Sequence, residues 1–298
     1  MRNIDFAVIG GSYAGLAAAL QLARARRNVL VVDAGQRRNR FVDAAGETSH
    51  GFLTQDGRAP AEIAADAREQ LMNYPSVEWM QGTADDARVA GNARLEFRVG
   101  REVISAGRLI LATGVRDELP PVPGLAERWG RSIFHCPYCH GYEMSAGRIG
   151  IIAASPLALH HALMLPDWGS PTLFLNGAYT PTEEDLTAIA RRGTQIEVTP
   201  IDRIDGVADV VLQDGRTLRM NGLFTQPRTL LSSPVAEQLG CVLEDGPMGL
   251  FIHVDDLKAT SVPHVFACGD AARAAGNVTL AVADGAMAAF AAHRASMF

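Results

Sequence analysis

The chain has 298 residues, of which 48% are hydrophobic and 20% charged, with a formal net charge of −6. That length allows about two domains at roughly 150 residues each, and the apolar content is too high for a disordered chain. The acidic balance offers little attraction to nucleic acid, and no apolar run reaches the ~18 residues a membrane span needs.

In chain order, "DFAVIGGSYAGLAAALQLARARRNVLVVDAG" predicts a strand over Phe6–Ile9, a glycine turn, a helix over Ala14–Ala25 and a strand over Val29–Asp33. A βαβ unit of this kind implies a parallel sheet and the α/β class. A helix follows over Glu62–Asn73, stopped before Pro75. "LEFRVG" and "REVISAG" predict a hairpin turning at Gly100–Arg101, and "RLILATG" a buried strand. A second βαβ unit runs from "RIGIIAASPLALHHALML" into "PTLFLNG". "PHVFACGDAA" predicts a last strand and turn, and "NVTLAVADGAMAAFAAHRA" a long terminal helix. The basic runs at 24–27 and 37–40 read as solvated faces or loops.

The first turn has the build of a dinucleotide site. Such a turn needs small residues for a tight bend, for close approach of pyrophosphate and for helix–strand packing, and the helix N-terminus then faces the anion. The three positions are Gly10, Ser12 and Gly15, with serine in place of the middle glycine. Asp33 ends the second strand, where an acid can hold ribose hydroxyls.

"HCPYCHGYE" places Cys136 and Cys139 three positions apart and follows them with His140. A Cys-x-x-Cys can close a small disulfide whose thiolate form is reactive. It can also be half of a zinc site or two buried thiols. Zinc usually takes four ligands in separated pairs, whereas Cys241 and Cys268 stand alone and read as core residues. Few cysteines in a long chain suggest no secreted disulfide scaffold, and predict a cytoplasmic protein whose cysteine pair is catalytic or metal-binding.

The order "VIGGSYAG", "VVDAG", "ATG", "CPYC", "FACGDAA", "DGAMAA" resembles the low-molecular-weight thioredoxin reductases, FAD-dependent disulfide oxidoreductases, over essentially the whole chain. The resemblance implies two Rossmann-like nucleotide-binding domains, the FAD domain being split by an inserted NAD(P)-like domain: 1–114 and 228–298 for FAD, 115–227 for the inserted domain carrying CPYC. It implies that Gly10, Ser12, Gly15 and Asp33 hold the adenosine diphosphate of FAD. Gly269 and Asp270 would meet the ribityl chain, and Ala281 and Val282 would point the last helix at the flavin pyrimidine. His50–Gly51–Phe52 would lie beside the flavin. Cys139 would face the flavin and Cys136 the substrate, the pair being a redox-active disulfide with no metal. A homodimer is implied as well.

Two departures from the thioredoxin reductase pattern matter. Those enzymes carry an acid where this chain has His140, a residue able to move protons near an ordinary pKa of about 6.5. "CPYCHGYE" is in this closer to the dithiol oxidases of the gliotoxin and holomycin type. The second turn, moreover, reads Ala153, Ser155 and Ala158 where NADPH would need glycines. The segment after its second strand, "LFLNGAYTPTEED", has three acids and no arginine for a 2′-phosphate. Two lost charge-assisted bonds weaken binding by about 10²–10⁴-fold; Arg191 and Arg192 are the candidates for replacing them. The expected function is therefore an FAD-dependent oxidase closing a disulfide in a small-molecule dithiol, with O₂ as acceptor. The alternatives are a disulfide reductase using NADPH, NADH or ferredoxin, and a non-catalytic flavin-binding protein.

Overall fold

A computed structural model describes residues 1–91 and 93–297. Two compact units emerge, one formed by Met1–Arg40, Ala61–Arg116 and Thr229–Phe298, the other by Phe41–Pro60 and Asp117–Arg228.

The first unit is built on a seven-stranded sheet. Its central strand Arg2–Ile9 pairs in parallel with Val29–Asp33 on one side and Glu102–Leu111 on the other. Val77–Gln81 extends the sheet beyond Val29–Asp33, and Val265–Ala267 lies parallel to residues 109–111. The predicted hairpin is present as Leu95–Val99 against Glu102–Leu111. "REVISAG" and "RLIL" are one continuous strand, not two, because Gly107 passes so near the Asp5 carbonyl that an added Cβ would sit 3.0 Å from it. Pairing with the first strand therefore carries on through the glycine.

Near-continuous apolar runs are what a parallel sheet buried on both faces requires. One face packs Ile4, Ala7, Leu30 and Leu109 into a core cluster; the other packs Phe6, Val8, Val31 and Ile110. Helix Tyr13–Arg24 and the terminal helix Val278–Arg294 cover the second face. They meet backbone to backbone, since a Cβ on Gly285 would fall 2.0 Å from the Ala14 carbonyl oxygen.

The second unit has a five-stranded, all-parallel sheet in the order Gln195–Glu197, Ser170–Phe174, Arg148–Ile152, Gly222–Thr225, Ile133–Phe134. A three-stranded antiparallel meander, residues 201–219, packs beside it through Ile201, Ile204, Val210 and Leu212. Helix Glu183–Arg192 has a Thr182–Asp185 capping box and a left-handed Gly193 at its end. Residues 41–60 also belong to this unit.

Candidate active site

In the first unit the predicted turn is tight. Gly10 has φ +106° and gives its N–H to the Val32 carbonyl at 2.8 Å. A Cβ there would lie 2.1 Å from the Ala112 carbonyl oxygen, and one on Gly15 would lie 1.8 Å from that of Gly10. Both glycines are thus obligatory. Ser12 takes the N-cap position of helix Tyr13–Arg24 but caps nothing with its side chain. Asp33 accepts the Gly11 N–H at 3.0 Å. Beside them opens a cavity of ≈ 400 Å³ lined by Gly11, Asp33, Arg37, Arg68 and Trp79 among others. Arg68 lies over the Trp79 ring at 4.0 Å, and the buried Trp79 Nε1–H has no partner.

These features fit the nucleotide end of FAD. The tight turn leaves room at a helix N-terminus for pyrophosphate, the acid is set for ribose, and an orphaned indole donor lines the recess. Farther along, Gly269 has φ +68° and opens the turn Gly269–Ala272. Asp270 receives Arg38 Nη1 at 3.0 Å. Ala281 and Val282 lie early in the terminal helix, whose Asn277 side chain caps the Leu280 N–H at 2.9 Å.

Sequence reasoning missed Arg68 and Trp79, since an isolated arginine and a tryptophan carry no motif, and it read Arg38 as part of a solvated basic run, whereas its guanidinium is drawn in by Asp270. It also missed Asp284, buried at 1% exposure and held by Lys258 at 2.9 Å and Arg273 at 2.5 Å. Burial raises the Asp284 pKa, but the hydrogen bonds from Arg273 and Lys258 outweigh this and lower it overall.

In the second unit Cys136 precedes the one-turn helix Pro137–His140, with proline at its first position. Cys139 N–H and His140 N–H both turn back to the Cys136 carbonyl, at 3.2 and 3.3 Å. This turn brings Cys139 Sγ to 2.7 Å from Cys136 Sγ. Gly141 lets the chain leave it, as a Cβ there would strike the Pro137 carbonyl and the Trp168 ring. Cys241 and Cys268 are buried in the first unit's core, and burial pushes the Cys268 thiol up to about 12.

His140 stands differently from the sequence expectation. Its ring stacks on Phe134 at 4.0 Å, and burial, followed by the nearby charge of His50, lowers its pKa to about 4 rather than leaving it near 6.5. The imidazole is therefore neutral at physiological pH and a weak base. His161, 2% exposed, donates to the His135 backbone carbonyl and is likewise lowered to about 4, chiefly by burial. His50–Gly51–Phe52 packs within this same unit, where Gly51 lies against the Tyr138 carbonyl.

The second turn, between Arg148–Ile152 and helix Ala158–Met164, is closed by its own residues. Ala153 is buried, and Ser155 Oγ accepts the Leu157 N–H at 3.3 Å. Past the next strand, Asn176 accepts the Ile201 N–H at 2.9 Å, and helix Glu183–Arg192 opens with three acids. Arg192 is engaged by Asp167 and the Leu163 carbonyl, at 2.6 and 2.8 Å.

An obligatory-glycine cradle with its acid on one unit, and a vicinal cysteine pair on a second α/β unit, define a flavin-dependent disulfide oxidoreductase. The chain belongs to the pyridine nucleotide-disulphide oxidoreductase family, whose sequence pattern matches residues 4–288. It is 34% identical to the thioredoxin reductase tcpT of Claviceps purpurea, over 96% of this chain and 92% of that protein. Its structure is similar to that of an oxidoreductase from Agrobacterium tumefaciens, with a TM-score of 0.95 and 55% identity, covering 100% of this chain and 99% of that one. It also resembles HlmI, with a TM-score of 0.90 and 35% identity, covering 99% of this chain and 93% of the other. The protein is accordingly an FAD-dependent disulfide oxidoreductase.

Proposed function

We propose that this enzyme is a dithiol oxidase: it closes a disulfide in a small-molecule dithiol and delivers the electrons to O₂. The observation that carries this reading is the second nucleotide turn, whose glycine positions hold Ala153, Ser155 and Ala158 and which is followed, past the next strand, by a helix opening with three acids. A turn whose glycine positions carry side chains, and whose Leu157 N–H is already taken by the Ser155 hydroxyl, is a poor seat for NADPH, which supports a route in which electrons enter as thiols.

In the proposed reaction a substrate thiolate attacks the Cys136–Cys139 disulfide at Cys136, and Cys139 leaves as thiolate. The second substrate thiolate then attacks the mixed disulfide, releasing oxidised substrate and leaving both cysteines reduced. Bound FAD supplies the acceptor for that electron pair and the means of passing it to O₂, giving hydrogen peroxide. Gly10, Ser12, Gly15 and Asp33 would hold the adenosine diphosphate, with Gly269, Asp270, Ala281 and Val282 nearer the flavin. His140 would flank the cysteine pair as a neutral ring that donates or accepts a hydrogen bond.

The reading extends to assembly as a homodimer. The exposed side of the terminal helix carries Leu280, Ala283, Met287 and Phe290 at helical spacing, opposite its buried Ala288, Ala289 and Ala292. A helix apolar on both sides is normally covered on both, and a second copy of the chain is the partner proposed. No helix among the described residues is long and apolar enough to cross a membrane, and the cytoplasm is the proposed site of action.

The test is anaerobic rapid mixing of FAD-loaded enzyme with NADPH, NADH or dithiothreitol. The dithiol should bleach the flavin, the nicotinamides should leave it oxidised for many seconds, and admitted air should restore colour with hydrogen peroxide formed. Rapid bleaching by micromolar NADPH would instead make the enzyme a reductase.

A further inference from the structure

The basic run 37–40, in the loop that follows Asp33, places each of its members differently. Arg37 lines the recess beside Gly11. Arg38 Nη1 donates to Asp270 Oδ2 at 3.0 Å, across 232 positions of sequence. Asn39 Nδ2 donates to the Tyr13 hydroxyl at 3.1 Å, and Arg40 Nη1 returns to the Arg37 carbonyl at 2.9 Å. The loop is thereby pinned around Arg38, to helix Tyr13–Arg24 at one point and to itself at another.

Asp270 is held as closely. Its turn, Gly269–Ala272, starts at the left-handed Gly269, where an added Cβ would lie 2.9 Å from the Ala14 side chain. Gly276 passes so near that a Cβ on it would meet Asp270 Oδ1 at 2.6 Å. One carboxylate oxygen thus faces a guanidinium and the other faces glycine backbone, and the side chains of the pair are only 19% and 23% exposed. Arg273, close enough to feel the Asp270 charge, is committed to Asp284 at 2.5 Å, which Lys258 also holds at 2.9 Å.

We infer that Arg38 is a positioning residue for the cofactor: with Gly276 closing the opposite side, it fixes the Asp270 carboxylate and so sets the chain's grip on the ribityl half of FAD. The inference goes beyond the oxidase reading and rests only on the placement of Asp270 near the flavin given with it. A carboxylate offers about four lone-pair sites, so a guanidinium on Oδ2 orients the group and still leaves it able to accept a hydroxyl. An acceptor fixed in advance spends less of its binding energy on ordering, and a charge-assisted bond is the stronger kind for fixing it. The same pair ties the loop beyond Asp33, proposed for the adenosine diphosphate, to the turn proposed for the ribityl chain, so both halves of the cradle are set together.

The experiment is FAD release from holoenzyme, followed by the flavin fluorescence that appears on serial dilution, for the parent, Arg38→Ala, Arg38→Lys, Asp270→Ala and the double variant Arg38→Ala/Asp270→Ala. Arg38→Ala should bind FAD at least about tenfold more weakly, and Arg38→Lys, which keeps the charge, should recover most of that loss. Once Asp270 is absent, Arg38→Ala should cost less than about threefold. At saturating FAD the visible circular dichroism of the flavin should change in Arg38→Ala and return towards the parent's in Arg38→Lys. Parent-like affinity in Arg38→Ala overturns the inference. So does an equal loss with and without Asp270, and so does weaker binding with unchanged flavin dichroism, which would make Arg38 a prop of its loop alone. Should Arg38→Ala yield no folded holoenzyme, Arg38→Gln, which keeps a donor but no charge, is read against the same outcomes. Parent-like affinity in Asp270→Ala would instead overturn the placement of Asp270 at the cofactor. No thiol or O₂ enters these measurements, so the oxidase reading stands or falls separately.

Discussion

In the proposed reaction Cys136 and Cys139 carry the exchange, and their proposed roles differ. Cystamine, a linear disulfide, should leave one cysteamine on Cys136 and lose the other to solvent when Cys139→Ser removes the thiol that would displace it. Intact-mass spectrometry should show one cysteamine adduct on Cys139→Ser and none on Cys136→Ser; the reverse pattern would exchange the two roles. The buried rings of His140 and His161 govern a second property. Both bind protons only near pH 4 in the folded chain, against about 6.5 when unfolded. Between those values the unfolded chain takes up protons that the native state refuses, so stability is fully present above about pH 6.5 and falls as pH drops towards 4. Each ring can account for about 3 kcal/mol of that loss. Urea unfolding midpoints at pH 7, 5.5 and 4.5 should therefore fall steadily, and less steeply in His161→Gln, which keeps a donor for the His135 carbonyl but does not titrate. A flat profile in the parent would show that neither ring is held neutral.

At the scale of elements, the nucleotide cradle depends on two helices touching without side chains between them. Helix Tyr13–Arg24 starts at the Gly10–Gly15 turn, and the terminal helix presses Gly285 onto its Ala14 carbonyl. Gly285→Ala must push them apart, because backbone cannot yield 2.0 Å as a flexible side chain might. Overpacking of this kind costs roughly 1–3 kcal/mol. The expected result is a lower melting temperature together with weaker retention of FAD on gel filtration; unchanged values for both would show that the helices can separate freely. The second turn makes a contrast in the same terms. Its helix, Ala158–Met164, has 7 residues against 12 in Tyr13–Arg24, and its Ser155 hydroxyl occupies an N–H that a phosphate would need.

For the whole molecule, the open question of assembly turns on the apolar face of the terminal helix. Phe290→Glu places a charge on an exposed ring position, so it should leave folding and flavin content intact while converting a dimer to a monomer in light scattering. A parent that is already monomeric would remove the dimer from the reading. By itself the sequence determined what depends on neighbours along the chain: the strand–glycine–helix unit, the 95–111 hairpin, the terminal helix and the α/β class all follow from periodicity and turn residues. Helix Glu183–Arg192 was not read from the sequence, although its Thr182–Asp185 capping box and Gly193 mark both its ends; its many charged residues hide the few apolar ones. Only the tertiary structure decided what depends on residues far apart in sequence. Trp79 and Arg68 reach the recess beside Gly11 across a sheet, Asp284 meets Lys258 and Arg273 in the core, and Gly107 continues a strand because Asp5 runs alongside it. The protonation of His140 belongs to the same class. Its chemistry was readable from its place after Cys139, but its charge is set by how much water Phe134 and the surrounding fold leave around the ring, and solvent exclusion is a property of packing that no local pattern records.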